Sequence, residues 1–244
     1  MVKTCLFAIL GLLALPLAAL AQGEPSLLRD WSSAGGLAQE IGDTRPAIDE
    51  LTLGIRIPFL GGDLDNTGSS RKWKDLYGDA GGGFEAKYSH LFKVSPVVAV
   101  GPYAGFTVDV FGGNHIDVDP GTGLERWDVD PWAVTRLVFG ARVREQWGAF
   151  FMDENIGLGP VFYAAGTASD PLGFNDIEII KGSVNLAFEL GLRVGAVVSR
   201  KVDLGLGLAW ELNGAPETGR DLSSAIDFKA QTNFVLTFLI NLNF

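Results

Sequence analysis

The sequence predicts an all-β fold, an eight-stranded antiparallel up-and-down barrel that crosses a membrane on its strands. Three observations carry that expectation. Apolar residues recur with a period of two in eight separate runs. The connections between those runs alternate between long and short. After residue 21 no apolar run approaches the roughly 18 residues that a membrane helix needs, yet 47% of the 244 residues are apolar and the mean hydropathy is +0.22. High apolar content excludes a disordered chain, and 32 glycines exclude a coiled coil. An acidic balance, 29 acidic against 19 basic residues, argues against a nucleic-acid partner.

The chain opens with Lys3, an uncharged apolar stretch from Cys5 to Leu20, and Ala19-Leu20-Ala21. That is the layout of a cleaved export signal over residues 1–21, with Gln22 as the mature start. Cys5 leaves with it, so no disulfide or thiolate chemistry is expected. The mature chain then carries 18 basic and 29 acidic residues. Residues 22–50 lie outside the alternating pattern and read as a flexible N-terminal periplasmic segment.

The barrel is expected over residues 51–244. Its first strand sets Leu51, Leu53, Ile55, Ile57 and Phe59 against Thr52, Gly54 and Arg56. The second sets Phe84, Ala86 and Tyr88 against Glu85, Lys87 and Ser89. In the third, Val100, Ala104, Phe106 and Val108 oppose Gly101, Gly105, Thr107 and Asp109. Leu137, Phe139, Ala141 and Val143 oppose Arg136, Gly140 and Arg142 in the fourth, where Val138 interrupts the polar face. In the fifth, Ile156, Leu158 and Phe162 oppose Asn155, Gly157 and Gly159; Glu154 falls on the apolar phase, so a bulge or late start is expected. The sixth alternates Val184 to Leu192 with Asn185, Glu189 and Arg193. The seventh alternates Leu204 to Leu212 with Asp203, Gly205, Gly207 and Glu211. The eighth runs to the C-terminus, Phe234, Leu236, Phe238, Ile240, Leu242 and Phe244 opposing Asn233, Thr237 and Asn241. The connections are 61–81, 92–96, 112–130, 144–148, 165–177, 195–201 and 213–226.

Alternation alone does not say which face points inward. The polar face is rich in glycine and carries both signs of charge, which suits a narrow interior with paired ions better than a solvated surface. A lumen network of Arg56, Glu85, Lys87, Asp109, Arg136, Arg142, Glu189, Arg193 and Glu211 is therefore expected, with Asp153 and Asp203 on the same face. Aromatics near the strand ends read as interfacial girdles: Phe59, Trp132, Phe162 and Trp210 on the long-loop side, Phe92, Trp147 and Phe244 on the other.

With its export signal, eight amphipathic strands and last strand from Phe234 to Phe244, the chain resembles the small outer-membrane barrels of Gram-negative bacteria, the OmpA transmembrane domain and the OmpX-type family. The resemblance is architectural and covers about residues 51–244. It implies residence in the outer membrane among phospholipid and lipopolysaccharide. It also implies that Phe238, Ile240, Leu242 and Phe244 are read by the barrel-assembly machinery, and that the barrel is a monomer.

Chemistry is sparse. His90 and His115 are the only histidines, too few for a histidine-ligated zinc. Ser89 and His90 are adjacent on a strand and so point to opposite faces, which disfavours a serine-histidine pair. No cofactor is expected. Asp63, Asp65 and Gly68 match part of a calcium loop, but Lys74 stands where a bidentate glutamate belongs, leaving only a loose surface site for a divalent cation. The four long loops hold thirteen acids and five bases, whereas Lys93, Arg144, Arg200 and Lys201 make the short turns basic. The expectation is a non-enzymatic barrel acting structurally or through acidic extracellular loops, its lumen mostly closed. A small porin-like barrel for a hydrophobic or cationic solute is the alternative, and a lipid A-modifying enzyme the third reading.

Overall fold

The computed structural model describes residues 46–64, 72–118, 125–173, 175–220 and 228–244. Eight long strands form its wall: β1 (Ala47–Gly61), β2 (Gly81–Lys93), β3 (Val98–Phe111), β6 (Trp132–Trp147), β7 (Phe150–Tyr163), β10 (Ser183–Ser199), β11 (Val202–Asn213) and β13 (Gln231–Asn243). They pair antiparallel in chain order, and the first meets the last to close the barrel, with Ile55 opposite Phe238 and Phe59 opposite Phe234. Closure leaves no strand edge, as hydrocarbon around the wall requires. The alternation settles which face meets lipid. Ile55, Phe139 and Leu208 point outward, each more than half exposed, while Arg56, Arg136 and Arg142 between them are buried. Hydrocarbon outside and charge inside is the reverse of a soluble barrel.

Four positions depart from the sequence reading. β1 begins at Ala47, four residues before 51, because Ile48 and Glu50 continue the inward phase of Thr52 and Arg56. The rest of the 22–50 segment, and the export signal, lie outside the described residues. β7 pairs with both neighbours without a register shift from Phe150 onward, so Glu154 causes no bulge and stands on the outward face. Trp132 is not a girdle residue. It starts β6 on the inward phase of Val134 and Arg136 and is wholly buried. Arg144, expected at a short turn, lies on β6 two residues beyond Arg142 and points inward with it.

The long connections, expected as solvated loops, hold a second sheet. β4 (His115–Val118), β5 (Glu125–Val129), β8 (Gly166–Ser169), β9 (Asp176–Lys181) and β12 (Glu217–Thr218) pair in the order β12-β9-β8-β5-β4. Trp127 and Val129 alternate with exposed Glu125, Arg126 and Asp128, a period of two too short to stand out in sequence. A one-turn helix α1 (Trp73–Tyr77) precedes them, with the Asp75 carboxylate accepting the Lys72 N–H at 2.7 Å and Gly78 ending it at φ +74°. Its spacing brings Trp73, Leu76 and Tyr77 onto one buried side.

Candidate functional site

Two structures stacked along the barrel axis are candidates for function: the charged lumen and the platform over its long-loop mouth. The lumen holds six buried cations and seven buried carboxylates. Near the loop end, Arg56 of β1 bridges three strands, to Glu85 and Asp109 at 3.0 Å and to Glu211 at 2.6 Å. Arg136 of β6 binds the same Asp109 and Glu211 from the opposite wall and donates to Thr107 at 3.0 Å. At mid-depth Lys87 meets Glu189 at 2.6 Å and Glu85 at 3.4 Å, and Arg193 meets Glu85 at 3.0 Å. Toward the short turns Arg142 pairs with Glu50 and Asp153, and Arg144 with Glu50 and Asp203.

All nine expected lumen residues therefore lie in one connected interior. Sequence reading missed Glu50, Arg144 and Tyr103. The first two were legible as continuations of the inward phase, at Glu50-Thr52 and Arg142-Arg144; Tyr103 was not, because an aromatic inside a charged lumen has no pattern signal. Tyr103 reaches across the wall to Asn155 and Glu189, at 3.4 Å from each. It has room only because its neighbours lack side chains: a Cβ on Gly157 would stand 2.1 Å from the Tyr103 hydroxyl and 2.5 Å from Val138. Gly157→Ala is accordingly expected to destabilise the folded barrel by about 1–3 kcal/mol through overpacking. Urea unfolding measures the change, and Tyr103→Ala in the same chain should recover part of the loss.

Above the ions lies an apolar cap. Trp132 stacks on Trp73 at 5.7 Å and on Tyr163 at 5.4 Å, and Trp73 stacks on Phe228 at 5.2 Å. Tyr77 lies on Trp132 at 4.8 Å. Ile116, Trp127, Val129, Ala168, Ile179 and Ile180 of the second sheet face down into the same cluster. The Trp132 indole donates to the Ala164 carbonyl at 2.9 Å, tying the rim of β6 to the start of the platform. Burial drives the Tyr77 phenol far above its usual range, with the Asp130 carboxylate adding to the shift, so it stays protonated.

The upper face of the platform is polar. Ser169 donates to Asp176 at 2.8 Å, Thr167 donates to Asp130 at 2.5 Å, and His115 stands opposite an exposed Asp128. Of the Asp63–Gly68 segment only Asp63 and Leu64 are described; Asp63 pairs with Lys229 at 3.5 Å. No group of three or more metal-ligating side chains occurs among the described residues. His90 sits on the outer wall near the short turns, where its Nδ1 meets Asp49 at 2.7 Å, while Ser89 points inward and accepts from Arg142 at 3.0 Å. Phe238, Ile240, Leu242 and Phe244 share the outward face at the end of the chain, and the Phe244 N–H donates to the Asp49 carbonyl at 2.9 Å.

No protein-family model and no curated protein sequence matches the chain. Solved structures resemble it in architecture. Ail, the attachment invasion locus protein of Yersinia pestis, is 12% identical, with 82% of this chain and all of that one covered and a TM-score of 0.45. The outer membrane protein OprG from Pseudomonas aeruginosa is 12% identical over 82% of this chain and 97% of its own, at a TM-score of 0.42. The outer membrane protease OmpT from Escherichia coli is 10% identical over 81% and 96%, at 0.43.

Proposed function

We propose that this outer-membrane barrel is a non-enzymatic, non-conducting mount for a rigid acidic platform that meets partners outside the cell. The observation that carries this reading is the platform itself. Its lower face is packed into the aromatic cap of the barrel, and its upper face carries Asp117, Asp128, Asp130 and Asp176. An eight-stranded barrel leaves an interior that side chains can fill, and the buried ion pairs and the aromatic cap along its axis support a non-conducting lumen. Rigid mounting lowers the ordering cost of binding, because the surface is already formed. Its charge favours cationic partners, and anionic lipopolysaccharide headgroups approach it through divalent cations.

Two measurements test the reading together. The refolded protein in a planar bilayer should give no stepwise conductance, and it should adsorb to polylysine-coated surfaces in a salt-sensitive way. Asp128→Asn with Asp176→Asn should weaken that adsorption while the heat-modifiable gel shift of the folded barrel stays intact. Regular conductance steps would instead support the porin-like alternative, and adsorption unchanged by the double variant would remove the platform from the account.

A further inference from the structure

The lipid-facing wall carries two carboxylates that the rest of the molecule leaves unsatisfied. Glu145 of β6 and Glu154 of β7 both point outward, since Val143 lies opposite Glu154 and Glu145 lies opposite Met152. That places the two acids diagonally across adjacent strands, a separation of about 7–8 Å between their backbones. No register shift turns Glu154 away from the wall. Neither carboxyl has a hydrogen bond or an ion pair among the described residues. Glu145 is only 7% exposed before any lipid is added. The outward neighbours include Val98, opposite Glu145 on β3, and Val143, Met152 and Leu192, with Phe150 and Trp147 at the turn below.

An ionisable side chain on a lipid-facing surface is costly unless something pairs with it, and its partner is the first question to ask of it. Depth narrows the answer. Glu145 is two residues from the end of β6 and Glu154 four residues from the start of β7. At about 3.3 Å per residue on a tilted strand, both fall within about 10 Å of the short-turn mouth. That is the level of the phospholipid headgroups in the periplasmic leaflet. The matching charge there is the headgroup cation. A primary ammonium offers three N–H donors to two acceptor-only carboxylates, whereas a quaternary ammonium offers none.

We propose that the outer face of the β6–β7 hairpin is a phospholipid site, in which Glu145 and Glu154 hold the primary ammonium of a phosphoethanolamine headgroup. Trp147 and Phe150 flank the headgroup at the interface, and Val143, Met152 and Leu192 lie against its acyl chains. The site is independent of the platform and of the lumen ions, so it stands or falls apart from the function proposed above.

The full chain, refolded into nanodiscs containing equal parts of phosphatidylcholine, phosphatidylethanolamine and phosphatidylglycerol, tests the proposal. Native mass spectrometry after release should find phosphatidylethanolamine enriched among the retained lipids. The enrichment should be lost in Glu145→Gln/Glu154→Gln, which keeps the shape of both side chains, while the gel shift of the folded barrel is unchanged. The wild-type comparison needs no variant, so a poorly folding variant leaves the proposal testable. Equal retention of the three lipids would overturn it. So would enrichment that survives in the double variant, or that disappears on adding EDTA, which would assign the carboxylates to a divalent cation. A dimer in the wild type that the double variant dissolves would assign the same face to a second copy of the chain and overturn it too.

Discussion

Arg136→Ala is expected to lower the stability of the folded barrel by about 3–5 kcal/mol, the usual loss when one partner of a buried ion pair is removed. Arg136 is wholly buried, and its guanidinium joins Asp109 of β3 to Glu211 of β11 across the lumen. Without it both carboxylates depend on Arg56, which already serves Glu85. Two acids left to a cation that Glu85 also engages leave uncompensated negative charge in a confined space. Water entering the space of the lost side chain would relieve part of that charge, and a conductance absent from the wild type would then accompany a smaller loss. Urea unfolding in detergent and planar-bilayer recording together read both outcomes. If stability and conductance are both unchanged, the ions do not close the lumen. Glu189→Ala should act likewise at mid-depth, where it strips Lys87 of its partner at 2.6 Å.

Trp132→Ala should cost a similar amount, about 3–5 kcal/mol for a buried tryptophan truncated in a packed core, but the loss should fall in a different place. Trp132 touches Trp73 and Tyr77 of α1, Phe111 of β3 and Tyr163 of β7, three separate segments at the mouth of the barrel. Its removal opens a cavity between barrel and platform and deletes the hydrogen bond to Ala164. The strands below keep their ladder and their ions. Limited proteolysis should therefore cut the connections near α1 and β8 faster than in the wild type, while the barrel fragment remains protease-resistant. Equal protection of the platform in both proteins would show that the aromatic stack does not hold it.

The sequence by itself determined the barrel. A period of two, sustained over strands such as Phe234 to Phe244, marks two faces meeting two different media, and that pattern is local to each strand. Eight such runs with alternating connections leave little choice of topology. The inward charges were legible for the same reason: each sits on the polar phase of its own strand. What those charges bind was decided only by closure, because Arg56 and Glu211 lie 155 residues apart and meet only once the last strand, β13, sits between β1 and β11. Strand limits were likewise set by partners, which is why Glu50 and Arg144, at the frayed ends of the pattern, went unread. The platform was the largest feature out of reach. Its strands are two to six residues long, and alternation that brief is indistinguishable from chance in a loop rich in aspartate and glycine. Trp132 showed the same limit in a single residue. On the sequence it is an aromatic at a strand end, as a girdle residue would be, and only the sheet folded above it turns that position into the core of a cap.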